Sequence, residues 1–154
     1  MNRRSFVKKA PAAAGLPLLA QSNGPSSIRI TLSSVLVDDQ DKALKFYTEI
    51  LGFVKKHDFP LGEFKWLTVV SAREPNGTQL LLEPGNNPAT QTFKKALKEQ
   101  GIPIAAFQVD DLQQEYERLL KLGVVFRTKP AKRGGSTAAV LDDTCGNFIQ
   151  HFQV

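Results

Sequence analysis

The sequence predicts an α+β protein made of two tandem β-α-β-β-β modules, and three observations carry that prediction. The segment VLVDDQDKALKFYTEILGF (35–53) joins a short apolar, β-branched run to two aspartates and an amphipathic helix. The segment FQVDDLQQEYERLLKLGVVF (107–126) repeats that order. Val109, Asp110 and Asp111 echo Val37, Asp38 and Asp39 at an offset of 72, and Leu122-Gly123 echoes Leu51-Gly52. Finally, EPNGTQLLLEP (74–84) matches DTCGNFIQHFQ (143–153), with Gly77 answering Gly146 at an offset of 69. Three echoes in one order at nearly constant spacing mark a tandem of related units.

Each element follows from local chemistry. Residues 28–38 read as the first strand. Asp39 is suited to cap the first helix, because its carboxylate can accept from the orphan N–H groups of the first turn. Ala43, Leu44, Tyr47, Ile50 and Leu51 recur at helical spacing, and Gly52 stops the helix. A second strand spans 53–59, Pro60-Leu61-Gly62 turns the chain, and FKWLTVVS (64–71) is the third. The turn Glu74-Pro75-Asn76-Gly77 leads into the fourth, TQLLLE. A bridge (86–102) holds a short helix through Phe93, Ala96 and Leu97, broken by Gly101 and Pro103. The second module runs strand 103–110, helix 112–122, strand 124–128, a basic loop, and strands 136–142 and 147–153. The modules thus occupy 28–85 and 103–154.

The chain has 154 residues, enough for one domain with a proper core or two fused half-domains, and its 42% hydrophobic and 23% charged content suit a globular protein. The net charge of +5 suggests nucleic acid at first, but Arg3, Arg4, Lys8 and Lys9 supply four of those charges with no acid among residues 1–22. The remainder carries +1 and has no Arg-rich stripe with interleaved aromatics, so a nucleic-acid partner is not expected. Residues 1–22 resemble a twin-arginine export signal: Arg3-Arg4-Ser5-Phe6-Val7-Lys8 precedes a mildly apolar run from Ala10 to Ala20, too short to span a bilayer. Ala20-Gln21-Ser22 offers a cleavage site, and 23–27 is a linker. The expected location is periplasmic or extracellular, without stable membrane insertion. A single cysteine, Cys145, excludes an internal disulfide. The Asn76-Gly77-Thr78 triplet, formally a glycosylation acceptor, reads as a turn.

The V-x-D runs, the helix ending in LGF and the final strand opened by D-x-x-G-N resemble the vicinal oxygen chelate superfamily, which includes glyoxalases, extradiol dioxygenases and bleomycin-binding proteins. The resemblance covers residues 28–154 and implies a glyoxalase-like fold whose curved sheets form a cup around a small ligand. Strand alternation then selects the cup face. It takes Leu32, Ser34 and Leu36 from the first strand, Gln79, Leu81 and Glu83 from the fourth, Ile104, Ala106 and Gln108 from the fifth, and Phe148, Gln150 and Phe152 from the last.

In metal-using relatives the ligands sit on the first, fourth, fifth and eighth strands. Those positions fall here on Leu32, on Leu81 or Gln79, on Ile104 and on Gln150. Leucine and isoleucine donate no lone pair and a glutamine amide is a weak ligand, so no metal and no other cofactor is implied. Neither histidine is placed to substitute: His151 faces away from Gln150, and His57 sits among lysines and Asp58 on a rim strand, which suits surface or satisfied side chains. Glu83 is the candidate catalytic residue, since desolvation at the end of an apolar strand could make it a general base; the alternative is an exposed strand end before Pro84. Trp66 either stacks on a planar ligand or packs in the core. Cys145, with neither histidine near it in sequence, is a poor nucleophile. Lys129, Lys132 and Arg133 read as a solvated turn rather than a lid.

Three functions follow. The favoured one is a metal-independent small-molecule-binding protein whose ligand contacts come from Leu32, Ser34, Trp66, Gln79, Ile104, Phe148, Gln150 and Phe152. The alternatives are a lyase- or dioxygenase-type enzyme using Glu83, and a structural or partner-binding domain without ligand. The sequence leaves open whether the modules pair within one chain or across a homodimer. For export, replacing Arg3 and Arg4 by lysine should trap the precursor inside the cell, as read by fractionation; normal export of that variant overturns the twin-arginine assignment.

Overall fold

A computed structural model describes residues 27–154; the residues read above as an export signal with its cleavage site, and most of the expected linker, lie outside them. Twelve segments follow in order: β1 (Leu32–Val37), α1 (Gln40–Lys45) running on into a π-helical turn (Phe46–Ile50), β2 (Val54–Leu61), β3 (Phe64–Val70), β4 (Gln79–Pro84), α2 (Pro88–Gln100), β5 (Ala105–Gln108), α3 (Leu112–Lys121), β6 (Phe126–Arg133), β7 (Ser136–Asp142) and β8 (Phe148–Gln153). No helix among the described residues is long and apolar enough to cross a membrane. Both aspartate caps form. The Asp39 carboxylate accepts from Lys42 N and the Asp111 carboxylate from Gln114 N, each at 2.9 Å. Gly52 and Gly123 follow their helices with positive φ.

The strands form two four-stranded sheets of the same order, β1-β4-β3-β2 and β5-β8-β7-β6, each with one parallel pair, β1·β4 and β5·β8. Alternation along the strands buries one face of each sheet. Val35, Val37, Leu67, Val69, Leu80 and Leu82 from the first sheet and Leu141 and Ile149 from the second share one core with Ala43, Tyr47 and Leu119. The half-buried Phe53 and Phe107 pack against its edge beside the buried Tyr47, Phe53 against Phe107 edge to face at 5.3 Å.

Several expected boundaries shift. Ile28 and Ile30 stay exposed and outside β1. Pro60 and Leu61 belong to β2, and the hairpin turns at Gly62-Glu63 between the paired Leu61 and Phe64. The basic residues Lys129, Lys132 and Arg133 are strand rather than loop, because Ala131, Lys132 and Arg133 pair with β7 and the turn is only Gly134-Gly135. The bridge helix is longer than expected and buries a different side chain. Phe93 is 49% exposed, whereas Lys94 is 4% exposed. Lys94 Nζ reaches Asp38 Oδ1 at 2.5 Å and the Cys145 carbonyl at 2.8 Å, so charge and not apolar periodicity orients this helix. Burial would raise the Asp38 carboxyl, but the bonds from Lys94 and Gln91 hold it below its ordinary value.

The loop 143–147 is the junction. Asp143 is fully buried, and its carboxylate accepts from Cys145 N and Asn147 N at 2.8 and 2.9 Å, from Asn147 Nδ2 at 2.7 Å and from Tyr47 OH at 3.1 Å. Asn147 Nδ2 also donates to the Leu36 carbonyl at 2.8 Å, which ties this loop to β1. Gly146 has φ 95°, a left-handed conformation that favours glycine, and a Cβ there would lie 2.7 Å from both Asp38 Oδ2 and Lys94 Nζ, which would have to shift. Tyr47→Phe should remove one donor from the buried carboxylate. We expect a loss of about 1–3 kcal/mol in urea unfolding with an unchanged slope; stability equal to wild type would mean that Tyr47 contributes only its ring.

Candidate functional site

The faces turned away from the helices carry the sequence-predicted site residues. On the first sheet, parallel pairing sets Leu32 beside Gln79, Ser34 beside Leu81 and Leu36 beside Glu83. Because Leu67 and Val69 point into the core, Trp66 must point to the other face, where it stacks on Phe59 with centroids 6.4 Å apart and planes 21° apart. The direction that the apolar β3 left open is thus settled by pairing. This face is open: Leu32 is 41% and Phe59 47% exposed.

Two polar features of these strands escaped sequence reasoning. The Gln40 amide inserts between β3 and β4, with Nε2 donating to the Lys65 and Leu82 carbonyls at 2.8 Å and Oε1 accepting from Lys65 N at 2.9 Å. One side chain thus replaces ladder bonds where β3 and β4 diverge, next to Trp66 and Glu83. Farther along, Thr68 Oγ1 and His57 Nδ1 both donate to Gln79 Oε1, at 2.8 and 2.9 Å. An amide oxygen only accepts, so the proton of a neutral His57 sits on Nδ1 and Nε2 keeps its lone pair. His57 is therefore a satisfied histidine, and it shares its partner with a predicted site residue. Only the pairing of His57 with Thr68 across β2 and β3 could have revealed this.

On the second sheet Ala106 pairs with Gln150 and Gln108 with Phe152, while Ile104 N donates to the Phe148 carbonyl at 2.9 Å. Phe148 is flanked by two cations, Lys98 Nζ 5.4 Å and Arg127 Cζ 5.2 Å from its ring centre, and Lys98 also pairs with Asp142 at 2.9 Å. Lys98 comes from the bridge helix and Arg127 from β6, so no local motif announced either. Among the described residues no hydrogen bond, ion pair or ring contact joins the site residues of one sheet to those of the other. The expected cup is therefore not closed within the chain.

The side chains present do not fit a metal. Leu32, Leu81 and Ile104 offer no donor atom, Gln79 Oε1 already accepts two hydrogen bonds, and Gln150 is a lone amide. Among the described residues no cluster of three or more His, Cys, Asp or Glu could hold one. Cys145 is 1% exposed, and burial together with the Asp143 carboxylate pushes its thiol up to about 12, which keeps it protonated and unreactive. His151 departs from expectation. It does face away from Gln150, but it is neither exposed nor satisfied: it is 4% exposed, and Nδ1 has no hydrogen-bond partner.

Comparison with known proteins agrees with this architecture. Residues 29–151 match the Glyoxalase/Bleomycin resistance protein/Dioxygenase superfamily, and the chain belongs to it. It is 51% identical to the uncharacterized protein YurT of Bacillus subtilis over 126 residues, 82% of this chain and 99% of that one. The crystal structure of UcmS2 is similar with a TM-score of 0.71 and 33% identity, covering 82% of this chain and 98% of that one. That of TnmS3, an antibiotic binding protein from Streptomyces sp. CB03234, is similar with a TM-score of 0.64 and 27% identity, covering 83% and 98%.

Burial pushes the His151 imidazole down to about 4; the Glu115 carboxylate opposes this and Arg118 assists it. The unfolded chain, with histidine near 6.5, then binds the proton first as pH falls. Stability is full above about pH 6.5 and declines toward pH 4, by about 3 kcal/mol for this group. His151→Phe should flatten that part of the stability profile in denaturant titrations between pH 7 and 4. An unchanged slope would show that carboxylates alone set it.

Proposed function

We propose that this member of the superfamily is a metal-independent binding protein for a small, planar, partly apolar molecule, held on the open sheet faces. The observation that supports it most is the donor set: apolar side chains and single amides stand where the family's metal ligands fall. Trp66 stacked on Phe59, and Phe148 with Phe152, give aromatic surfaces on the two sheets, and Gln150 supplies one donor and one acceptor between the latter pair. The likeness to an antibiotic binding protein favours an aromatic natural product as the ligand class. Since neither open face is covered within the chain, a second copy is proposed to close the cup. The protein is further proposed to act outside the cytoplasm, on the strength of its twin-arginine-like start.

An enzymatic reading keeps one observation in its favour, the half-buried Glu83 on the same face as Trp66. A 29% identical relative from Synechocystis is described as a probable lactoylglutathione lyase. Two variants separate the readings. Gln150→Leu should weaken binding of an aromatic antibiotic, followed by Trp66 fluorescence quenching, by about 1–3 kcal/mol with little change in folding. Glu83→Gln should alter that binding only modestly. Metal analysis should find no stoichiometric zinc, nickel or iron, and the lactoylglutathione lyase assay should give no turnover. Turnover that Glu83→Gln abolishes, or one tightly held metal per chain, would overturn the proposal.

A further inference from the structure

A cavity lies along the edge of β5, lined by Phe107 and His151 of the inward face and also by Ala106 and Gln108 of the face that carries Gln150. Its volume is about 610 Å³, within the range of small-molecule sites, and its walls come from the end of the first helix, the turn 71–74, β5, α3 and β8. Phe53 and Phe107 line it as an edge-to-face pair. His151 also lines it, its ring 6.1 Å from that of Phe107. Arg73 and Asp110, both largely exposed, form an ion pair at the mouth.

His151 makes this cavity more than a surface depression. Buried polar atoms in folded proteins almost always have a partner, and Nδ1 of this residue has none. The charged groups facing the ring offer it nothing. From α3, Glu115 is engaged twice by Arg118, at 2.7 and 2.8 Å, and these two are the charged side chains among the described residues that act on the ring. A neutral imidazole carries one N–H and one lone pair, so a partner able both to donate and to accept satisfies either tautomer. The aromatic walls select the rest of that partner.

We propose that this cavity is a further binding site, separate from the aromatic surfaces of Trp66 and Phe148, for a neutral aromatic molecule bearing a hydroxyl group, with its ring against Phe53 and Phe107 and its hydroxyl on the His151 imidazole. It goes beyond the binding function proposed above and does not depend on it.

Phenol is a sufficient probe. The chain has only two histidines, so the Cε1–H resonances of His57 and His151 can be followed separately in the full-length protein. Titration with phenol should shift the His151 resonance along a saturating curve. His151→Phe should weaken phenol binding at least tenfold, read from the resonances of Phe53 and Phe107. In case that variant fails to fold, Ala72→Trp fills the exposed mouth without touching the core. It should abolish the His151 shift while leaving the unfolding midpoint and any response of His57 unchanged. A His151 shift that stays linear in phenol, or one that persists with wild-type affinity in Ala72→Trp, overturns the assignment.

Discussion

A buried carboxylate joins the two halves of this molecule. Asp143 lies in the β7–β8 turn of the second sheet, yet one of its four donors is the hydroxyl of Tyr47 from the first helix. Burying a charge is costly unless its lone pairs are filled, and here two backbone amides, one side-chain amide and one phenol fill them. Burial pushes the Asp143 carboxyl above its ordinary value, and these donors offset only part of that rise. Burial and the neighbouring Asp143 charge also push Tyr47 well above its usual range, so it remains a donor at every working pH. Removing the carboxylate would leave four donor groups without this acceptor at once.

The positions of other elements follow from that loop. Its Asn147 reaches the β1 backbone, and its Cys145 carbonyl takes the buried Lys94 of the bridge helix, which in turn holds Asp38 at the end of β1. One turn therefore fixes β1, the first helix and the bridge against β8. These bonds lie on the helix-facing side of the sheets. The opposite faces carry Trp66, Glu83, Gln150 and Phe152, all half-buried.

The two faces of β8 illustrate how function and stability divide. Ile149 and His151 point inward, Phe148, Gln150 and Phe152 outward. The inward histidine is held neutral and unpartnered in a cavity, an arrangement that lowers stability in acid. The outward glutamine lies on a half-exposed face where a change of chemistry has little effect on packing. Residues two apart on one strand thus serve one purpose, and adjacent residues serve different ones.

The sequence by itself determined the helix caps at Asp39 and Asp111 and the strand faces from Leu32 to Phe152. Caps and alternation are local properties, written within a few residues. Only the tertiary structure decided the direction of Trp66, the burial of Lys94 instead of Phe93, the meeting of His57 with Gln79, the two cations beside Phe148 and the isolation of His151. Each of these depends on which strand or helix lies alongside. Strand register and long-range ion pairing set that through contacts between residues dozens of positions apart, and no local pattern records them.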